Sequence, residues 1–213
     1  MTELYFIRHG QTVINQEDKI NGAHVDTPLT AAGISGAQAA GLELQQVHFD
    51  QVFVSPQKRA QTTAKLVLTA NAAAPTVQVA EQLHEMSFGD WEGHLIAEGK
   101  RDPNMLRFFT DPAHYDPRSY HGETFTEVVA RGQAFLQRVV TAFPQQRLLV
   151  VGHGTMLTLL VRSAVGATIS EIMTQPPLDN TSISVLHGTP GAGFTLDRWN
   201  DTNFLQPAID RLA

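Results

Sequence analysis

The sequence predicts an α/β fold: a three-layer sandwich with a mainly parallel central sheet flanked by helices. Three observations carry that expectation. Short apolar runs at residues 4–7, 51–55, 148–151 and 182–186 have the length and composition of strands. Segments of helical periodicity alternate with them, which is the pattern of parallel sheets joined by crossover helices. Residues 148–151 are apolar at every position, as in a strand covered on both faces.

The elements follow in order. The first strand, residues 4–7, ends at Arg8-His9-Gly10. Thr30, after Pro28-Leu29, is a good N-cap for a helix to about residue 47, with Ile34, Ala37, Gly41 and Leu44 near helical spacing. The strand at 51–55 is followed by Pro56, suited to the first turn of a helix that carries Arg59 near its start. Residues 124–143 place Phe125, Val128, Phe135, Leu136, Val139 and Val140 on one helical stripe. The strand at 148–151 leads through Gly152-His153-Gly154 into a helix over about 155–165. Between residues 92 and 121 the pattern breaks down, and Pro103, Pro112 and Pro117 punctuate a polar stretch with aromatic and basic residues. We expect this stretch to be an insertion or lid over one end of the sheet, within a single domain spanning 1–213.

Composition contributes exclusions. The chain has no cysteine, which removes disulfides, thiolate zinc sites and cysteine nucleophiles, and fits a reducing, cytoplasmic setting. No secretory signal is expected, and no run approaches the ~18 apolar residues of a membrane span. A net charge of −6 argues against a nucleic-acid partner. An anionic small substrate stays compatible with it, because a few clustered arginines can focus positive potential in an acidic protein. Nothing in the sequence specifies an oligomeric state.

The chemistry concentrates at strand ends. His9 and His153 each close a strand and each precede a glycine, which lets backbone approach a ligand. In open α/β sheets ligands bind at the carboxyl ends of strands, so both imidazoles point toward the default site. Arg8 adjoins His9, and Arg59 lies beyond a third strand end. Two guanidiniums and two imidazoles make a receptor for a tetrahedral oxyanion such as phosphate. Flanking arginines would keep an imidazole neutral and nucleophilic near pH 7.

Arg8-His9-Gly10-Gln11-Thr12 with Asn15 resembles the motif of the histidine phosphatase superfamily, the phosphoglycerate-mutase-like group. Further segments resemble that family in order along nearly the whole chain: Asn21-Gly22; Asp26-Thr27-Pro28-Leu29-Thr30; Val54-Ser55-Pro56 with Arg59-Ala60 and Thr63; Leu83 and Glu85 with Phe88-Gly89 and Trp91-Glu92-Gly93; Gly122-Glu123-Thr124; and Val151-Gly152-His153-Gly154. The resemblance implies one histidine-phosphatase-like domain in which His9 is phosphorylated during turnover and Glu85 is the proton donor. It further implies that Arg8, Arg59 and His153 hold the phosphoryl oxygens, and that Asn15, Asn21 and Gly22 contact the substrate. No metal and no other cofactor is implied. Nearby arginines favour the Glu85 carboxylate, so this acid is expected to work mainly once a phosphate dianion offsets them. Phe88 and Trp91 are expected to pack the loop beneath the site, Glu92 and Glu123 to position arginines or the lid, and Asn180 to give support.

The expected activity is therefore a metal-independent phosphomonoester hydrolase acting on a small phosphorylated metabolite. Cofactor-dependent phosphoglycerate mutases carry an Arg-x-Tyr-Gly element after the acid, where this chain has Met86-Ser87-Phe88-Gly89. That departure favours hydrolysis, with mutase activity as the alternative. A catalytically silent phospho-ligand-binding module is an alternative of another class. The nine histidines raise a metallohydrolase as a third reading, yet no H-E-x-x-H motif and no D-x-D pair is present. Specificity is expected from the loop at 16–24 and the segment 92–121, with Arg101, Arg107, His114, Tyr115, Arg118 and His121 as contributors.

Overall fold

The computed structural model describes residues 1–71, 75–173 and 175–205. The strands are β1 (Thr2–Arg8), β2 (Gln51–Val54), β3 (Val77–Val79), β4 (Arg147–Gly152), β5 (Ile183–Thr189) and β6 (Gly193–Asp201). The helices are α1 (Val13–Gln16), α2 (Ala31–Glu43), α3 (Lys58–Leu68), α4 (Ile96–Gly99), α5 (Pro103–Thr110), α6 (Phe125–Ala142), α7 (Gly154–Ala164) and α8 (Ile169–Met173). Among the described residues the strands form one sheet in the order β3-β2-β4-β1-β5-β6. The first four are mutually parallel, β5 runs antiparallel to β1, and β6 runs antiparallel to β5. The expected mainly parallel α/β sandwich is the observed architecture.

Alternation along each strand divides the core in two. Phe6, Leu148 and Val150 face a cluster with α6 and α7, including Phe135, Leu136, Met156 and Leu160. Ile7, Leu149 and Val151 face the opposite cluster, with Ala60, Ala64 and Val67 of α3. Because both faces are covered, Leu148 to Val151 are fully buried, as their unbroken apolar run predicted.

Local signals set the helix boundaries. Thr30 caps α2 by accepting from Gly33 N, and Thr124 caps α6 in a capping box with Glu127. Helix α2 buries Gly33, Ala37, Ala40 and Gly41 and leaves Ile34 39% exposed, which corrects the predicted stripe. Its buried face is made of small residues because a Cβ on Gly41 would lie 2.5 Å from the Val67 carbonyl of α3. Helix α3 starts at Lys58 with Gln57 as N-cap, two residues beyond the predicted first-turn Pro56. Asp26 supplies the missing cap: its carboxylate accepts from the backbone N–H groups of Lys58 and Arg59.

Residues 92–121 contain α4, α5 and two 3₁₀ turns, and they are anchored by apolar side chains. Met105, Phe108, Tyr115 and Tyr120 join the core cluster on the α6–α7 face. Among the described residues, no helix is long and apolar enough to cross a membrane.

Candidate active site

β1 and β4 lie side by side and parallel, with Arg8 opposite Gly152. The ladder continues one step further, His9 N donating to Gly152 O at 2.9 Å, so both strands release their histidines at one place. The two imidazole centroids are 5.1 Å apart. Both rings are buried, His9 at 2% and His153 at 0% exposure.

Each atom of the His9 ring has a defined environment. Nδ1 lies 2.8 Å from the Gly10 carbonyl and donates to it, which leaves Nε2 as the lone-pair nitrogen. Gly10 is held in turn, its N–H donating to Thr63 Oγ1 at 3.0 Å. A Cβ on Gly10 would lie 2.4 Å from the Gly33 carbonyl, so only glycine fits this approach. Asn180 Nδ2 donates to the His9 carbonyl at 2.9 Å, the supporting contact expected of it.

Arg59, though 1% exposed, joins both imidazoles to the loop at 22–26. Its Nε–H is shared between His9 Nε2 at 3.3 Å and His153 Nδ1 at 3.2 Å. Nη1 donates to the Val25 carbonyl and Asp26, and Nη2 to the Gly22 carbonyl. On its far side, His153 Nε2 lies 2.6 Å from Ser55 Oγ. Because Nδ1 accepts from Arg59, the His153 proton resides on Nε2 and points at Ser55.

Burial is the first cause holding the His9 imidazole well below its ordinary value, followed by the charges of Arg59 and Arg8. The sequence reading named only the arginines. His153 is held down in the same way, first by burial and then by Arg59. Burial also pulls both guanidiniums down from the usual arginine value, and Glu85 works against it.

Glu85 is 4% exposed and sits at the N-terminus of α7. Its Oε1 accepts from Met86 N at 2.9 Å and Met156 N at 2.8 Å, whereas Oε2, among the described residues, accepts from Thr155 N alone, at 3.2 Å. The carboxylate thereby satisfies N–H groups that His153, the N-cap of α7, does not cap with its side chain. Arg8, beneath it, donates through Nη1 to the Leu178 carbonyl, and its buried Nε has no acceptor among the described residues.

Arg8, Asn15, Asn21, Glu85 and Thr155 line a cavity of about 160 Å³. Asn15 Oδ1 accepts from the backbone and hydroxyl of Thr12, which orients its amide and leaves the Nδ2 donors outside that network. Asn21 Nδ2 donates to Thr12 Oγ1. Gly22 contributes its carbonyl, held by Arg59 and Gln57, and a Cβ there would lie 2.3 Å from Glu92 Oε1.

The supporting acids act through backbone. Glu92 accepts from the N–H groups of Ala23, His24, Val25 and Phe88, tying the loop that holds Arg59 to the segment bearing Glu85. Glu123 takes Arg131 bidentately at 2.7 and 2.9 Å and also accepts from Ser87 N. Trp91 packs against the core, and Phe88, though buried, also lines the cavity, which the expectation of a loop-packing role did not include.

The sequence reading missed Gln57. Its Nε2 donates to the Gly22 and Ala23 carbonyls while its Oε1 accepts from Glu85 N at 2.8 Å, so one amide spaces the acid from the Arg59 loop. The available signal was a polar residue directly after Ser55-Pro56 at a helix start. The basic residues expected to set specificity lie elsewhere. Arg118 pairs with Asp116, His114 with Asp111 and His121 with Asp90, and Tyr115 is in the core. The cavity wall is instead apolar, formed by Ile20, Phe88, Ile96, Met105, Phe108 and Phe109.

Paired guanidiniums, two buried neutral imidazoles and a carboxylate at the switch between β1 and β4 define a protein built to handle a phosphoryl group. The model of the histidine phosphatase superfamily (branch 1) matches residues 4–202, and the chain belongs to that family. The adenosylcobalamin/alpha-ribazole phosphatase of Escherichia coli K12 is 38% identical over 165 residues, covering 76% of this chain and 79% of that protein. Among solved structures, Bacillus stearothermophilus YhfR superposes with a TM-score of 0.89 at 28% identity, over 97% of this chain and all (100%) of that one. A phosphoserine phosphatase mutant from Entamoeba histolytica, in complex with phosphoserine, gives 0.85 at 25% identity, over 97% and 100% of the two chains.

Proposed function

We propose that this protein hydrolyses a phosphomonoester of a small metabolite in two displacements, with His9 as the nucleophile. The observation that carries this reading is the His9 ring: Nδ1 engaged by Gly10, Nε2 carrying the lone pair, and burial keeping it unprotonated. The Nε2 lone pair attacks phosphorus and the P–O bond to the leaving group breaks. Glu85 gives its proton to the departing oxygen; Oε2, with its single longer contact, is the atom that carries that proton. Water then attacks the phosphohistidine, the P–N bond breaks, and the Glu85 carboxylate takes the proton from water. Phosphate and neutral His9 are regenerated.

Arg8, Arg59 and the Asn15 amide would bear the developing charge on the equatorial oxygens, as phosphoryl transfer demands positioning and electrostatics above all. In this scheme Asn21 and Gly22 shape the oxyanion site, with Gly22 acting through Arg59. His153 would join the clamp in its Nδ1–H tautomer, with Ser55 Oγ then donating to the unprotonated Nε2. Residues 92–121, within a single domain, would cover the cavity as its lid. The phosphatase names of the relatives, and Met86-Ser87-Phe88-Gly89 after the acid, support hydrolysis over mutase chemistry. A cysteine-free chain supports a cytoplasmic setting.

The test is to quench turnover of a ³²P-labelled phosphomonoester and look for an acid-labile phosphoenzyme. We expect it in the wild type and its absence in His9→Ala, with turnover lowered on the order of 10⁶-fold, as when a nucleophile is deleted. A labelled His9→Ala protein, or a wild type that binds phosphate but neither labels nor turns over, would sink the reading.

A further inference from the structure

The cavity at Arg8 and Glu85 does not end at its apolar wall. A second cavity of about 120 Å³ shares Phe108, Phe109, Thr155 and Pro177 with it, so the two adjoin across these residues. Taken together they make a slot that runs from Arg8 and Glu85 past Thr155 to Ile172, Met173 and Gln175, between α5 and α8.

Its lining is made of rings and thioethers held in place. The Phe108 ring stands edge-on to Phe88, Phe109 and Tyr115 at centroid distances of 5.2, 4.9 and 5.4 Å. Phe109 forms the outer side at 37% exposure, with Lys100 Nζ 4.9 Å over its ring. The Thr158 hydroxyl is engaged by the Gly154 carbonyl at 2.7 Å and is withdrawn from ligand binding. Apart from Arg8, the cationic side chain along the slot is Lys19, and its ammonium lies 2.7 Å from Glu17. No histidine or further arginine lines either part, among the described residues.

We infer that this slot is the leaving-group subsite, and that it selects phosphomonoesters whose leaving group carries an uncharged apolar ring over those carrying a second anion. The inference deepens the phosphatase reading and rests on it. A carboxylate or second phosphate lodged between Phe108 and Met173 would lose its water and find no cationic partner. A flat ring there replaces water on both faces with hydrocarbon and meets Phe108 and Phe109 in the edge and offset contacts that rings prefer. The amide of Gln175 at the far end can meet a neutral polar substituent without requiring charge.

The experiment measures kcat/KM of the intact protein for 2-naphthyl phosphate and 3-phosphoglycerate, using the ratio within each preparation so that any unfolded fraction cancels. The wild type should favour the naphthyl ester by roughly 10-fold or more, the scale at which apolar pockets discriminate. Met173→Lys, which puts a cation at the deep end, should lower that ratio at least about 10-fold, and Phe109→Ala should lower it by less. A wild type that prefers 3-phosphoglycerate, or a ratio unmoved by both variants, overturns the subsite. Absence of turnover and of phosphoenzyme with every ester overturns the phosphatase reading itself, and the subsite with it.

Discussion

The floor of the cavity and its wall are built from opposite materials. The floor, at the ends of β1 and β4, is polar and closed by hydrogen bonds: Arg59 reaches two imidazoles, two carbonyls and Asp26, and Glu85 takes three backbone N–H groups. The wall, in residues 92–121, is held by packed rings, with Phe108 at its centre. A polar network specifies atom positions and fails if one partner is lost. A ring cluster specifies a volume and tolerates substitutions that keep it. On the proposed function, reaction chemistry would belong to the first and substrate choice to the second.

That contrast can be attacked at each side. The largest effect after loss of the nucleophile should come from Glu85→Gln, which keeps the shape but cannot donate the proton to the leaving group. We expect kcat to fall about 10²–10⁴-fold for a metabolite ester. The fall should be much smaller for 4-nitrophenyl phosphate, whose leaving group needs no proton. Equal losses on both esters would remove Glu85 from the acid role.

At the wall, Phe108→Ala should cost about 3 kcal/mol of folding stability, read by urea unfolding, because a fully packed ring is deleted. An unchanged unfolding midpoint would show that the wall is not part of the cooperative core. Glu92→Gln probes the seam between the loop at 22–25 and the acid segment. Its amide would turn an NH₂ toward backbone N–H donors now served by Oε1 or Oε2, costing about 1–3 kcal/mol. KM for a phosphomonoester should rise as Arg59 loses its fixed carbonyls, whereas Glu92→Gln with wild-type KM and stability would remove the seam.

The smallest effect is electrostatic. His9 and His153 titrate far below the ordinary histidine value of 6.5 in the folded protein, so between those limits the unfolded chain binds more protons. Stability therefore falls as pH drops below 6.5, by up to about 1.4 kcal/mol per pH unit for each ring, and neither ring contributes above that range. Replacing His9 with Asn should flatten the slope of unfolding free energy against pH between 6.5 and 5. An unaltered slope would mean that His9 is not held neutral.

Legibility divides along the same line. Arg8, His9, Arg59 and His153 were readable because each lies beside a strand end or helix start, and the fold gathers strand ends; Glu85 was reached only through the family resemblance. Gln57 was not, since its three contacts come from two distant loops. β6 was also missed. Its pairing with β5 slips register between Ile183 and Leu186, which breaks the alternation that marks a strand. The wall misled most. Its basic residues stood out in the sequence, whereas Phe108 and Met105, which line the cavity, did not. A pocket side chain and a core side chain have the same composition, and only shape separates them.

The shared Arg59 Nε–H bears on how the product leaves. A buried guanidinium N–H stripped of its acceptor is costly, so a clamp that relied on phosphate alone would hold its product tightly. Here His9 Nε2 and His153 Nδ1 stand ready as substitute acceptors. In the proposed reaction the same N–H would return to the imidazoles as orthophosphate departs, and the grip would relax without that donor being left bare. The resting protein would thus be self-quenched, and an inhibitory oxyanion would have to displace two built-in acceptors before it could bind.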